Sequence, residues 1–190
     1  MSDYDFTADW CASMREEWPT YVPRCKNILE IGSYEGRGTC WMVENILEPE
    51  GFMVCLDTWE GGEEHDRHAM NEVMARFTKN FALARERYNP GMFYNVIKGQ
   101  SAVELRRLNK TFDLIYIDGS HQAPDVLTDA VMAWQLLQPE GIMIFDDYGW
   151  QGHELATHRP KMAINAFLSV FSERLTIVHQ RYQIAIRKNA

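Results

Sequence analysis

The chain has 190 residues, 46% of them hydrophobic and 12% aromatic, with a formal net charge of −8. That length and apolar content can fill the core of one α/β domain, which excludes a disordered chain. The acidic balance, with no dense run of Lys or Arg, argues against a nucleic-acid partner, because phosphate contacts need a basic surface.

The opening "MSDYDFTADW" has neither the basic start nor the apolar run of a secretion signal. No segment is long and apolar enough to span a membrane, so a cytoplasmic protein is expected. Cys11, Cys25, Cys40 and Cys55 form no C-x-x-C pair and read as buried thiols, not as a zinc site or a disulfide framework.

In chain order, Trp10, Met14 and Trp18 recur at helical spacing and predict a helix over Asp9 to Glu17. "NILEIG" predicts the first strand, and a helix follows from Gly38 to Leu47. "EPEG" reads as a turn before the strand "FMVCLD". An amphipathic helix is expected from Asp66 to Tyr88, with Met70, Met74, Phe77, Phe81, Ala84 and Tyr88 on one side. "MFYNVIKG" is the third strand. A short helix, Ser101 to Leu108, follows, with Ser101 as its cap. "FDLIYID" is the fourth strand, Pro124 to Leu137 a helix, "GIMIFDD" the fifth strand and Lys161 to Phe171 a helix. "LTIVHQ" and "YQIAIRK" are linked too tightly for a crossover and must form an antiparallel hairpin.

Strands alternating with helices predict a doubly wound α/β fold, a mostly parallel sheet covered on both faces and closed by that antiparallel pair. One domain over residues 1–190 is expected, with residues 1–26 as a helical segment packed on it. In such sheets, ligands bind beyond the carboxyl ends of the strands, where strand order reverses.

The residues at those ends are the candidates. In "ILEIGSYEGRGT", Gly32, Gly36 and Gly38 let the backbone turn and approach a ligand closely. The spacing is not the G-x-G-x-x-G of dinucleotide enzymes. A plain strand-to-helix turn would show the same glycines. Asp57, ending the second strand, can accept hydrogen bonds from both hydroxyls of a ribose, or cap a turn. Gln100 and Ser101 follow the third strand, where an adenine ring would lie. Trp59 could cover a ring face or belong to the core.

Together "LEIGSYEGRGT", "LDTW", "KGQSAVEL", "FDLIYIDGSH" and "GIMIFDDY" resemble the successive motifs of class I S-adenosylmethionine-dependent methyltransferases. The resemblance runs from Asn27 to Tyr148 and is nearest to the metal-dependent O-methyltransferases of the catechol and macrocin types. It implies a Rossmann-like, seven-stranded sheet. It implies that Glu30, Gly32, Ser33, Tyr34 and Gly36 shape the pocket for the methionine end of S-adenosylmethionine. Asp57 would hold the ribose, and Gln100 and Ser101 the adenine. Asp118 would sit near the cofactor amino group and a metal ion, with Asp146 and Asp147 completing the metal ligands. The catechol type has a hydroxyl residue where Gly38 stands; here Thr39 lies one step later. It has a catalytic lysine where His121 stands, and often asparagine where Asp147 stands.

Methyl transfer needs alignment and a nucleophile. A divalent ion lowers the pKa of a bound hydroxyl, and an all-carboxylate ligand set suits Mg2+ better than zinc. His121 could serve as general base, since imidazole titrates near neutrality. Asp146 and Asp147 could instead be solvated loop carboxylates, and His121 a polar loop residue. His65 and His68 more simply form a solvated helix face than a metal pair. His153, His158 and Trp150 could wall the acceptor site. His179 reads as structural.

The sequence thus points to a methyltransferase taking a small hydroxylated acceptor. The alternatives are a metal-independent enzyme with His121 as base, and a non-catalytic cofactor-binding regulatory subunit. An apolar patch of Trp10, Trp18 and Tyr21 could serve a homodimer or cover the sheet.

Overall fold

In a computed structural model that describes residues 3–61, 70 and 72–190, the apolar runs become strands β1 (Cys25–Ile31), β2 (Leu47–Asp57), β3 (Phe93–Lys98), β4 (Phe112–Ile117), β5 (Leu137–Phe145), β6 (Leu175–Gln180) and β7 (Ile184–Lys188). They form one seven-stranded sheet in the order β3-β2-β1-β4-β5-β7-β6. The first five pair in parallel, while β7 runs antiparallel to β5 and β6. The chain winds outward from β1 to β3, then returns to β4 on the other side of β1. The strand order therefore reverses between β1 and β4, which opens a crevice there.

The α-helices that lie wholly among the described residues are α1 (Ala12–Glu16), α2 (Arg37–Asn45), α3 (Val73–Tyr88), α4 (Ser101–Glu104), α5 (Ala123–Leu136) and α6 (Pro160–Val170). Alternate residues of each strand face opposite sides. Ile28, Met53, Cys55, Leu114 and Tyr116 pack with Met14, Trp18, Met42, Phe77 and Phe81 from α1 to α3. Leu29, Ile31, Val54, Ile115 and Ile117 pack with Val126, Trp134, Ile164 and Phe167 from α5 and α6. Burial on both faces is why the central strands are continuous apolar runs instead of alternating ones. The edge strands β3 and β6 are far more exposed.

Several boundaries differ from expectation. The first helix starts only at Ala12 and passes into a 3-10 turn at Trp18–Thr20, where Pro19 sits in the first turn. "EPEG" is not a free turn. It lies inside β2, where Glu50 adopts φ 57 and pairing jumps from Cys25–Leu47 to Asn27–Phe52. "QPEG" does the same in β5, with Glu140 at φ 63. Gln100, not Ser101, caps α4, and no side chain bonds the free amides there. The start of the expected Asp66–Tyr88 helix, with His65 and His68, lies outside the described residues.

The four cysteines are buried and free. Of the two alternatives for the apolar residues Trp10, Trp18 and Tyr21, Trp18 takes the second and covers the sheet: it is fully buried, packs edge-on against Tyr116 of β4 and donates Nε1–H to Gln183 Oε1 at 2.7 Å, whereas Trp10 is exposed. Tyr21 stacks on His179, whose Nε2 meets Glu17 at 2.7 Å, so His179 is structural. Among the described residues no helix is long and apolar enough to cross a membrane.

Candidate active site

The glycine loop is built by a collision that only glycine avoids. Gly32 follows β1 with φ +89, and a Cβ there would sit 1.9 Å from the carbonyl oxygen of Asp118. The ends of β1 and β4 thus meet backbone to backbone, fixed by the Asp118 amide donating to Ile31 O at 2.8 Å. Gly36 precedes α2 with φ +81, and a Cβ there would press on the Phe77 ring at 2.9 Å.

Asp57 locks this loop to the end of β2. Its Oδ2 accepts the amides of Ser33 and Tyr34, both at 2.8 Å, and its Oδ1 accepts the Trp59 amide at 2.6 Å. Trp59 Nε1 donates to Tyr34 O at 2.9 Å. Tyr34 and Trp59 both take left-handed φ, 47 and 51, a conformation that costs energy away from glycine and is held here by those bonds. Trp59 is buried against Phe77, so its core role is realised. Glu30 lies buried beneath the loop and accepts from the hydroxyls of Ser33 and Thr39. Burial pushes its carboxyl up to about 7, against the opposing pull of those hydroxyl bonds.

Acidic groups gather beyond β4 and β5. The hydroxyl of Tyr116 lies 3.0 Å from Asp118 Oδ2 and also against Asp146 Oδ2. A phenol carries one proton, so it can donate to only one of two carboxylates. Burial, then the charges of Asp146 and Asp147, raise Asp118 well above the usual carboxylate range. Burial and the Asp147 charge raise Asp146 to about 6. Asp147, at φ 57, is turned elsewhere: Oδ2 meets His121 Nε2 at 2.7 Å and Oδ1 accepts the Tyr182 hydroxyl at 2.6 Å.

This arrangement bears on the expected Mg2+ ligands. Excess negative charge on hard oxygens at Asp118 and Asp146 is a donor set that suits a divalent cation. The expected three-carboxylate cage is not closed, because Asp147 is engaged by His121 and Tyr182. Among the described residues no three His, Cys, Asp or Glu side chains are arranged to hold a metal ion.

His121 packs on Trp150, with ring centroids 4.4 Å apart. The 149–159 segment that carries Trp150 is stapled by Arg159, which donates to His153 O, Glu154 O and Gln151 Oε1. His153 and His158 stack at 4.3 Å, and His158 Nδ1 lies 3.0 Å from Gln122 Nε2. Trp150 therefore stands beside the acidic cluster as expected of a wall, while the two histidines organise the loop itself. Gln100 and Ser101 lie beyond β3 at the start of α4, which packs on α5, whose Asp129 is buried.

Sequence reasoning missed several participants. Tyr116 lies two residues before Asp118, so strand periodicity puts both side chains on one face; that signal was available. Tyr182 and Gln183 sit in the final hairpin turn, remote in sequence from Asp146 and Asp147. Glu35 is buried and accepts from the Thr7 amide and hydroxyl and from Arg76, which ties residues of the N-terminal strap to the glycine loop.

Comparison with known proteins adds a family and a fold. A family described as "Methyltransferase domain" matches residues 29–148. The O-methyltransferase hkm8 of Aspergillus hancockii is 27% identical over 124 residues, 65% of this chain and 43% of its own length. The chain thus spans less than half of that relative. The O-methyltransferase TomG of Streptomyces achromogenes, crystallised with S-adenosylmethionine, superposes with TM-score 0.62 at 17% identity, over 88% of this chain and 74% of its own. An O-methyltransferase from Bacillus cereus with bound S-adenosylhomocysteine gives TM-score 0.60 at 20% identity, over 86% and 74%. At these identities the likeness establishes the fold.

Proposed function

The chain belongs to the methyltransferase domain family, and from that premise we propose that it is an S-adenosylmethionine-dependent O-methyltransferase acting on a small hydroxylated molecule. The observation that carries this reading is the meeting of the glycine loop with the acidic cluster at Gly32 and Asp118. A sulfonium held at the first would lie next to an acceptor held at the second.

In this reading Gly32, Ser33, Tyr34 and Gly36 form the turn that receives the methionine end, with Glu30 and Thr39 bracing it from beneath. Asp57 takes the ribose hydroxyls with oxygens already oriented by three amides, and Gln100 and Ser101 border the base. The acceptor oxygen attacks the methyl carbon in line with the departing sulfur. A C–O bond forms, the C–S bond breaks, and the products are S-adenosylhomocysteine, a methyl ether and a proton. In this reading His121, whose Nε2 meets Asp147 Oδ2 at 2.7 Å, takes that proton. The negative edge repels polyphosphate chains and favours a small neutral or chelating acceptor.

Asp118 and Asp146 would hold a divalent ion such as Mg2+, with Asp147 joining if it leaves His121. Such an ion supplies charge that favours the ionised acceptor hydroxyl. A second reading starts from the His121–Asp147 contact, 2.7 Å, and has the histidine alone suffice. Methyl transfer to a panel of catechols and sugar diols, with and without excess chelator, separates them. Loss of turnover on chelation, restored by Mg2+, is the expected result. Full turnover in chelator selects the metal-free route, and cofactor binding with no transfer to any acceptor selects a regulatory subunit.

A further inference from the structure

Adjacent residues of an extended strand point to opposite faces, so Asp146 and Asp147 can reach one site only if the chain turns between them. It does turn: Asp147 takes φ 57, and its carbonyl accepts the Trp150 amide at 3.0 Å. The two carboxylates then part company. Asp146 stays with Asp118 at the Tyr116 hydroxyl. The Asp147 side chain is 16% exposed and has both oxygens engaged, Oδ2 by His121 Nε2 and Oδ1 by the Tyr182 hydroxyl at 2.6 Å.

Tyr182 is delivered by a contact between two turns. It sits in the turn between β6 and β7, and its carbonyl accepts the Gly149 amide at 2.9 Å. A Cβ on Gly149 would lie 2.8 Å from Tyr182 Cδ2 and 3.2 Å from its Cα, so glycine is what lets the tyrosine settle there. The hairpin turn is thereby docked on the turn after β5, with its phenol on Asp147. A phenol is protonated at neutral pH and donates to a carboxylate. Hydrogen bonds to ionised groups are among the stronger ones. With Oδ1 tied on one side and Oδ2 on His121, the Asp147 carboxylate cannot swing toward Asp118 and Asp146 without giving up a bond.

We propose that Tyr182 is a positioning residue that withholds Asp147 from the acidic cluster, so that the site holds a divalent cation weakly, on two carboxylates. This rests on the reading above in which Asp118 and Asp146 hold the ion. A hard cation gains affinity with each carboxylate added to its ligand set, so releasing Asp147 should tighten the site.

The test uses Mn2+ alone as the probe, with the free ion followed by its paramagnetic resonance signal. It compares the wild type, Tyr182→Phe, Asp147→Ala and the double variant. Phenylalanine keeps the ring on Gly149 and removes only the donor, so the fold should hold. Tyr182→Phe should bind Mn2+ about tenfold or more tightly than the wild type. In the Asp147→Ala background the same change should alter affinity by less than about twofold. Affinity unchanged or weakened in Tyr182→Phe overturns the proposal, and so does a gain that survives the loss of Asp147. A phenol that merely steadied the turn, or that oriented Asp147 toward the ion, would give the first of those results. Mn2+ bound by none of the four proteins overturns the metal reading and the proposal with it, a result distinct from equal binding in all.

Discussion

The two halves of the sheet's carboxyl edge carry similar residues in opposite states. Around β1 and β2, Asp57 has three backbone amides and Glu30 has two hydroxyls. Around β4 and β5, Asp118 and Asp146 crowd one tyrosine hydroxyl, and burial with neighbouring acidic charge raises the pKa of both. The first half is satisfied before any ligand arrives, as a binding scaffold should be. The second is loaded with unbalanced negative charge, as a reactive site commonly is. The lesson is that a carboxylate's role is set by the donors around it, not by its place after a strand.

The hardest way to break the contrast is to separate the halves. Gly32→Ala places a methyl group on the Asp118 carbonyl at a left-handed φ, and should cost more than about 3 kcal/mol or prevent folding, as read by thermal denaturation. Next, Asp146→Asn should lower methyl transfer by about a hundredfold or more while the melting temperature holds or rises, because a like charge is removed from a crowded pair. A fall in melting temperature would show that Asp146 is a scaffold group like Asp57.

Glu30 sharpens the comparison through pH. Its folded pKa of about 7 exceeds the ordinary 4.5, so the folded state binds more protons between those values. Its contribution to stability is complete below 4.5 and lost as pH rises through about 7, in total roughly 3 kcal/mol. Denaturant titrations of Glu30→Gln across that range should show a shallower decline than the wild type. The smallest effect is expected at the strap. Thr7→Val removes a hydroxyl bond to Glu35 and should cost about 1–2 kcal/mol in the same assay.

The sequence made this edge legible because apolar strands stop abruptly at Asp57, Asp118 and Asp146, and a parallel sheet must put those stops on one side. The hairpin of β6 and β7 was legible from its short link. What escaped was what long-range pairing decides. Asp147 could be placed on the edge, but its turn toward His121 and Tyr182 depends on a hairpin 35 residues further on. The bonds from Thr7 to Glu35 and from Asp5 to Asn80 span 28 and 75 positions and leave no local pattern. "EPEG" and "QPEG" carry turn residues and do turn, with Glu50 and Glu140 at positive φ; what escaped is that the strand pairing resumes on both sides of each turn. Asp129 did break the apolar period of its helix, a signal present but not read.

The central claim is that cofactor binding belongs to the β1–β2 half and chemistry to the β4–β5 half. Calorimetric titration of S-adenosylhomocysteine into the wild type, Asp57→Ala and Asp146→Asn tests it directly. The account predicts one site in the wild type, affinity lowered about a hundredfold or more by Asp57→Ala, and affinity nearly unchanged by Asp146→Asn. Absence of binding to the wild type, or equal loss in both variants, would contradict it.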